Sequence, residues 1–120
     1  MGAMVRTILV IDDHAGFRSG ARMLLERGAF AVVGEAADAA SGLLAARKLQ
    51  PDVVLLDIVL PDSDGFAVLD RLLDVSVPPA VVLVSTRDAS DYGDRVSRSG
   101  AKGFIQKARL SVAAMDALLG

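Results

Sequence analysis

The chain has no cysteine and only one histidine, His14. The first absence removes disulfides and thiolate-based metal or redox chemistry. The second leaves His14 without another imidazole to share a metal, so it reads as a helix-start residue rather than a ligand. No apolar run approaches the ~20 residues that a membrane helix needs, and no signal-peptide pattern opens the sequence. A cytoplasmic domain without membrane attachment is therefore the default expectation. Positive charge is not in excess: 13 Lys and Arg stand against 15 Asp and Glu, a formal net charge of −2. That balance does not suggest a nucleic-acid-binding surface on this domain. Neither a G-x-G-x-x-G turn nor a phosphate-cradling lysine loop is present, which disfavours a nucleotide site. There are no internal repeats and no low-complexity segments.

What is present is apolar sequence in short blocks. Hydrophobic residues make up 52% of 120 residues, enough for one domain with one core and too many for global disorder. Met1-Gly2-Ala3-Met4 reads as an expression remnant, and residues 5–120 read as a single domain. Val5 to Ile11 is apolar and β-branched and predicts a first strand, ending on Asp12 and Asp13. A helix follows from about Ala15 to Arg27, with Phe17, Ala21 and Leu24 at helical spacing and Gly28 just past its end. Phe30 to Glu35 predicts a second strand. Asp38 caps a helix to about Leu49, with Leu43 and Leu44 inward, and Pro51 ends it.

Val53 to Leu56 is a third strand, continuous enough in apolar residues to be buried on both faces, and Asp57 stops it. Pro61-Asp62-Ser63-Asp64-Gly65 turns into a helix to Leu73 that buries Phe66, Leu69 and Leu72 or Leu73. Ala80 to Val84 is a fourth strand, ending at Ser85 and Thr86. Asp88 caps a fourth helix to about Ser99, weakened by Gly93, Ser97 and Ser99 and closed by Gly100. Tyr92, Arg95 and Arg98 on it read as a solvated face. Lys102 to Ile105 is a fifth strand, followed by Lys107, and Ser111 caps a last helix with Val112, Met115 and Leu119 on one side. Strands alternating with helices predict an α/β fold, a parallel sheet covered on both faces by right-handed crossovers.

In such a sheet the carboxyl ends of all strands lie along one edge, where ligands bind. Asp12, Asp13, Asp57, Ser85, Thr86 and Lys107 all fall at those ends. Taken singly, Asp12 and Asp13 read equally well as caps of the first helix, Asp57 as a turn residue and Lys107 as a surface lysine. Together, three acids repel one another unless a cation joins them, and oxygen-only ligands suit Mg²⁺. A metal and Lys107 would neutralise phosphate oxygens, a hydroxyl from Ser85 would donate to them, and Asp57 would be the carboxylate nucleophile.

Four motifs carry a resemblance over the whole chain from Val5 onward: I-D-D at Ile11 to Asp13, L-D-I-V-L-P at Leu56 to Pro61, V-S-T at Val84 to Thr86 and G-F-I-Q-K at Gly103 to Lys107. With them the sequence resembles a two-component response-regulator receiver domain. The D-D-H-x-x-F-R-x-G run, Asp12 to Gly20, is similar to the NarL/FixJ (LuxR-type) subfamily. The resemblance implies a flavodoxin-like (CheY-like) (βα)5 three-layer sandwich with sheet order 2-1-3-4-5. It implies Asp57 as phosphoacceptor, Asp12 and Asp13 as organisers of Mg²⁺, and the Val59 carbonyl as completing the metal site. Ser85 becomes the switch hydroxyl, Lys107 the partner of the phosphoryl group, and Phe104 an aromatic switch that swings inward.

A sensor histidine kinase is the implied partner, with homodimerisation possible in the family. DNA would be met only through a C-terminal helix-turn-helix output domain, which is absent here. The sequence departs from the family at Ser63, where methionine is common, and at Ala108, where many relatives have proline. Not an enzyme in the ordinary sense, the domain would assist only its own phosphorylation and dephosphorylation. The readings set beside this one are a degenerate receiver that binds partners without phosphorylation and an aspartyl-phosphate phosphatase. The second is weakened because Val59, not an acid, stands two residues after Asp57.

Overall fold

Each of the five apolar runs forms a strand, and together they make one parallel sheet in the order β2-β1-β3-β4-β5. The computed structural model describes residues 4–120, so the first three residues of the expected remnant lie outside the described residues. In chain order the elements are β1 (Arg6–Ile11), α1 (Ala15–Leu25), β2 (Phe30–Ala36), α2 (Ala39–Leu49), β3 (Val53–Asp57) and α3 (Gly65–Leu73). Then come β4 (Ala80–Ser85), a 3-10 turn (Ala89–Tyr92), α4 (Arg95–Arg98), β5 (Gly103–Gln106), a second 3-10 turn (Lys107–Arg109) and α5 (Val112–Leu119).

Apolar side chains that alternate along the central strands serve both faces, as a sheet covered on two sides requires. Leu9, Ile11, Val54, Leu56, Val81 and Leu83 point to one core with Phe66, Val68, Leu69 and Leu72 of α3. Ile8, Val10, Val53, Leu55, Val82 and Val84 point to the other, against Ala21 and Leu25 of α1 and Met115 of α5. The middle strands thus have no solvent face, and any polar residue at their ends stands at the rim of a dry core.

Four expectations need correction. Leu44 faces solvent at 66% exposure, so α2 buries Leu43 but not its neighbour. Gly28 is not a left-handed cap; a Cβ there would come within 2.6 Å of Val112 Cγ1, and its smallness lets α5 pack close. Gly100 likewise has no positive φ, and an added Cβ would collide with Leu73. The fourth helix is broken: Asp88 caps as expected, but Gly93 (φ 60, ψ −130) splits the segment into a 3-10 turn and a single α-turn. The cause is local. A β-carbon disfavours that φ, and Ser97 and Ser99 donate back to the carbonyls of Asp94 and Val96, competing with the helix ladder.

Helix α2 starts on two carboxylates. Asp38 accepts from the Ser41 N–H (2.8 Å), while Asp62, from the β3–α3 loop, accepts from the N–H groups of Ala39 (2.7 Å) and Ala40 (3.1 Å). Three amides that a helix start would leave unpaired are satisfied, and the loop beside Asp57 is tied to α2. These N–H groups hold the Asp62 carboxyl below its ordinary pKa.

Candidate functional site

Asp57 is the last residue of β3 and is 2% exposed. Its backbone lies under the start of α3: the Gly65 N–H donates to the Ile58 carbonyl at 2.6 Å. A Cβ at Gly65 would sit 2.5 Å from the Asp57 carbonyl oxygen and 2.6 Å from Ile58 Cα, so no other residue fits without moving backbone. The Asp57 side chain is aimed by the Val59 N–H, which donates to Oδ1 at 3.0 Å, and by Lys107 Nζ, which donates to Oδ2 at 3.1 Å.

Asp12 follows β1 and is wholly buried. Its Oδ1 accepts from the His14 N–H (2.8 Å), and Lys107 Nζ lies 2.5 Å from its Oδ2. The Asp12 carbonyl accepts from Arg18 Nη1 at 2.6 Å, while Arg18 and Arg22 of α1 both grip Glu35 of β2. Asp12 is thus braced from α1 by a network that reaches the neighbouring strand. Neither Asp12 nor Asp13 caps α1 with its side chain. The cap position is His14, with its own side chain making no cap bond; Asp12 instead ties the turn that leads into the helix.

Lys107 opens the 3-10 turn after β5, and its ammonium joins the two buried carboxylates while lying 4.6 Å from the centre of the Phe17 ring. Burial raises the pKa of the Asp57 carboxyl, the Val59 N–H works against it, the charge of Asp12 adds to it, and Lys107 opposes it; the net direction is up. For Lys107, burial alone would lower the pKa, but the bond to Asp12 and the charge of Asp57 outweigh it and hold the ammonium above its ordinary value. The two carboxylates thus keep the ammonium charged.

The acids also form a set of donors. Asp12, Asp13, His14 and Asp57 each offer one ligand atom, and these atoms lie within 4.8 Å of one another. Asp12 Oδ2 is buried and receives no well-angled hydrogen bond, although the ammonium is beside it. A part-exposed acid, two buried acids and a buried oxygen met only by a neighbouring ammonium suit a hard, oxygen-seeking divalent ion such as Mg²⁺. His14 joins the edge of this group, with Nδ1 at 3.1 Å from Oδ1 of both Asp12 and Asp13. Its placement beside the acids was not expected from a lone histidine. The I-D-D-H run was the available signal, since a residue that follows two strand-end acids has to start from the same edge.

Of the remaining predicted residues, Ser85 ends β4 and is 1% exposed. Its Oγ bonds Tyr92 Oη at 2.7 Å and accepts from the Arg87 N–H at 3.2 Å. Thr86 does not share that position. It is exposed, and it meets neighbouring structure through its carbonyl, which accepts from Gln106 Nε2 at 3.2 Å. The strand turns one hydroxyl in and the next one out. The Val59 side chain is exposed while its N–H serves Asp57. Phe104 on β5 is half-buried, its ring 6.2 Å from that of Tyr92. Tyr92, read from sequence as solvated, is half-buried between Phe104 and Phe66, whose ring centre is 6.0 Å away.

Three carboxylates, a buried hydroxyl and a lysine thus stand at the carboxyl edge of one five-stranded parallel sheet. The family described as "Response regulator receiver domain" matches residues 8–117, and the chain belongs to it. Receiver domains of response regulators are regulatory rather than enzymes in the ordinary sense. The chain is 34% identical over 102 residues to the nitrate/nitrite response regulator protein NarL of Escherichia coli, covering 84% of this chain and 47% of that one. A signal receiver domain from Mycobacterium tuberculosis superposes with a TM-score of 0.84 at 32% identity, covering 98% of this chain and 99% of that one. A LuxR-family two-component response regulator from Aurantimonas sp. gives a TM-score of 0.84 at 30% identity, covering 96% and 85%. These place the chain nearest the NarL/LuxR-type receivers. It spans about half the length of the curated relatives it matches. Among the described residues no helix is long and apolar enough to cross a membrane.

Proposed function

We propose that this receiver domain takes a phosphoryl group onto Asp57 from a phosphorylated sensor histidine kinase, with Mg²⁺ bound, and thereby controls an output domain. The observation that carries this reading is the position of Lys107 Nζ, 3.1 Å from Asp57 Oδ2 and 2.5 Å from Asp12 Oδ2. It stations one fixed positive charge beside the carboxylate that would attack. Asp12, Asp13, Asp57 and the Val59 carbonyl would hold the metal, which when bound supplies charge neutralisation at the phosphoryl oxygens.

An oxygen of Asp57 attacks phosphorus, and the bond from phosphorus to the histidine nitrogen breaks with its electron pair leaving on that nitrogen. With an acyl phosphate as donor, the bond to the carboxyl oxygen breaks in the same way. Burial raises the pKa of the Asp57 carboxyl, which makes the carboxylate more basic and so more nucleophilic. Lys107 pairs with a phosphoryl oxygen, and Ser85 donates its hydroxyl proton to another. The changed contacts at Ser85 and Lys107 bias α4, β5, α5 and Phe104 toward a second arrangement.

In the parent protein the controlled output would be transcription, through the helix-turn-helix domain usual in the NarL subfamily, with pairing of receivers through this face as one route. The test is incubation with Mg²⁺ and acetyl phosphate followed by intact mass. A gain of one phosphoryl group, lost with excess chelator, supports the reading. No gain in wild type would return the domain to a phosphorylation-independent interaction module.

A further inference from the structure

Tyr92 is the side chain that ties a poorly anchored segment to the site. Residues 89–98 contribute no fully buried side chain, and the backbone breaks at Gly93 in the middle. What holds the segment is the Tyr92 ring between Phe66 and Phe104, Arg95 stacked 4.2 Å over Phe66, and partial packing of Val96. One polar bond reaches the strand ends from this segment: Tyr92 Oη to Ser85 Oγ, 2.7 Å. Phe104, across the ring stack, has no hydroxyl, and the chain contains no other tyrosine.

We infer that Tyr92 is a positioning residue for Ser85: its phenol holds the serine hydroxyl on the helix side of the site until a phosphoryl group on Asp57 competes for it, and loss of this bond loosens residues 89–99. The inference rests on the phosphoacceptor reading for its trigger, though not for the bond itself. The competition follows from the single rotating Oγ, which leaves its 2.7 Å contact with Tyr92 Oη when it turns toward Asp57. A serine hydroxyl has one proton to donate, and phosphoryl oxygens only accept. Ser85 Oγ already accepts from the Arg87 N–H. Turning its proton toward Asp57 leaves Tyr92 able to bond only as a donor, to an oxygen that has rotated away from it. Ser85 sits on a central strand paired on both sides, so the element that yields is the one without buried anchors.

The chain has one tyrosine and no tryptophan, so the tyrosine absorbance band, which lies to the red of phenylalanine's, reports Tyr92 alone. Three proteins are compared, wild type, Ser85→Ala and Tyr92→Phe, each with and without Mg²⁺ and acetyl phosphate, with intact mass measured on the same samples. Without phosphoryl donor, Ser85→Ala should shift the tyrosine band. Tyr92→Phe, which keeps the ring, should raise amide exchange in residues 89–99 about two- to tenfold, the range a single net hydrogen bond gives. On phosphorylation, wild type should show the same direction of band shift, and the exchange difference between wild type and Tyr92→Phe should close. An unshifted band in phosphorylated wild type, or wild-type exchange in Tyr92→Phe, overturns the inference. If mass shows no phosphoryl gain, the phosphoacceptor reading fails by itself. The bond is then judged by the donor-free arms: a band shift in Ser85→Ala with faster exchange in Tyr92→Phe sustains Tyr92 as the residue that positions Ser85, and their absence overturns it.

Discussion

Lys107 Nζ donates to Asp57 Oδ2 at 3.1 Å although the two residues are 50 positions apart, one just beyond β5 and the other at the end of β3. The same ammonium lies 2.5 Å from Asp12 Oδ2. One cation therefore balances two buried anions, and the anions without it, or the ammonium without them, cost folding free energy.

Replacing Lys107 with Met should cost about 3 kcal/mol of stability at neutral pH in metal-free buffer, because two buried carboxylates are left facing one another. The raised pKa of Lys107 means that its contribution is complete below its unfolded pKa and is lost as pH rises through its folded value. At the acid end Asp57, whose carboxyl pKa burial raises, becomes protonated, so the deficit of the variant should shrink toward pH 4. Urea denaturation of both proteins at pH 4 and pH 7 checks this; an equal deficit at both contradicts it.

Asp57→Asn should behave oppositely. The Asp57 carboxyl is raised, so its ionisation opposes folding: wild type loses stability as pH rises from the unfolded carboxylate pKa through the folded one. The amide has no such loss. In metal-free buffer the variant should be more stable than wild type at pH 7, on the order of 1 kcal/mol, with the advantage vanishing in acid. A variant less stable than wild type at pH 7 would mean that the bond to Lys107 outweighs burial and repulsion.

Much of this was legible in the sequence, and the reason is periodicity. A strand buried on both faces, such as Val53–Leu56, has to be apolar at every position, so the polar residue that ends it announces the rim of the core. Asp12, Asp57 and Ser85 were found in that way and are all buried. What was not legible depends on tertiary approach. The roles of Gly28 and Gly65 come from what packs over them, Leu44 is carried outward by how α2 sits, and Asp62 serves a helix 22 residues behind it. Tyr92 was misread because its segment was taken as a continuous helix with an outer face. The break at Gly93 gives the preceding turn its own orientation, and the ring enters between Phe66 and Phe104.

Gly65→Ala tests whether the site depends on the close approach of α3. The added methyl would meet the Asp57 carbonyl oxygen and Ile58 Cα, which are backbone and cannot rotate aside. Overpacking of this kind costs about 1–3 kcal/mol. It should also shift the amide resonances of Asp57 to Val59 and slow phosphorylation more than a Gly16→Ala change, where an added Cβ meets nothing within 4 Å. Equal behaviour of the two variants would remove Gly65 from the account.

Asp62→Asn weakens the acceptor for the first amides of α2. The lowered pKa of Asp62 means its contribution is present above the unfolded carboxylate pKa and is lost as pH falls through the folded one. Exchange at Ala39 and Ala40 should therefore be faster in the variant at neutral pH, with the difference fading in acid. Unchanged exchange at those two amides would show that Asp38 alone suffices as a cap.

The central claim is that Asp57 receives the phosphoryl group. Wild type, Asp57→Asn and Lys107→Met are treated with acetyl phosphate and Mg²⁺, the acyl phosphate is trapped by borohydride reduction, and peptides are mapped by mass. The account predicts one modified peptide, spanning Val53 to Gly65 with the label on Asp57, absent in Asp57→Asn and formed more slowly in Lys107→Met. Label on another aspartate, or undiminished labelling of Asp57→Asn, would contradict it.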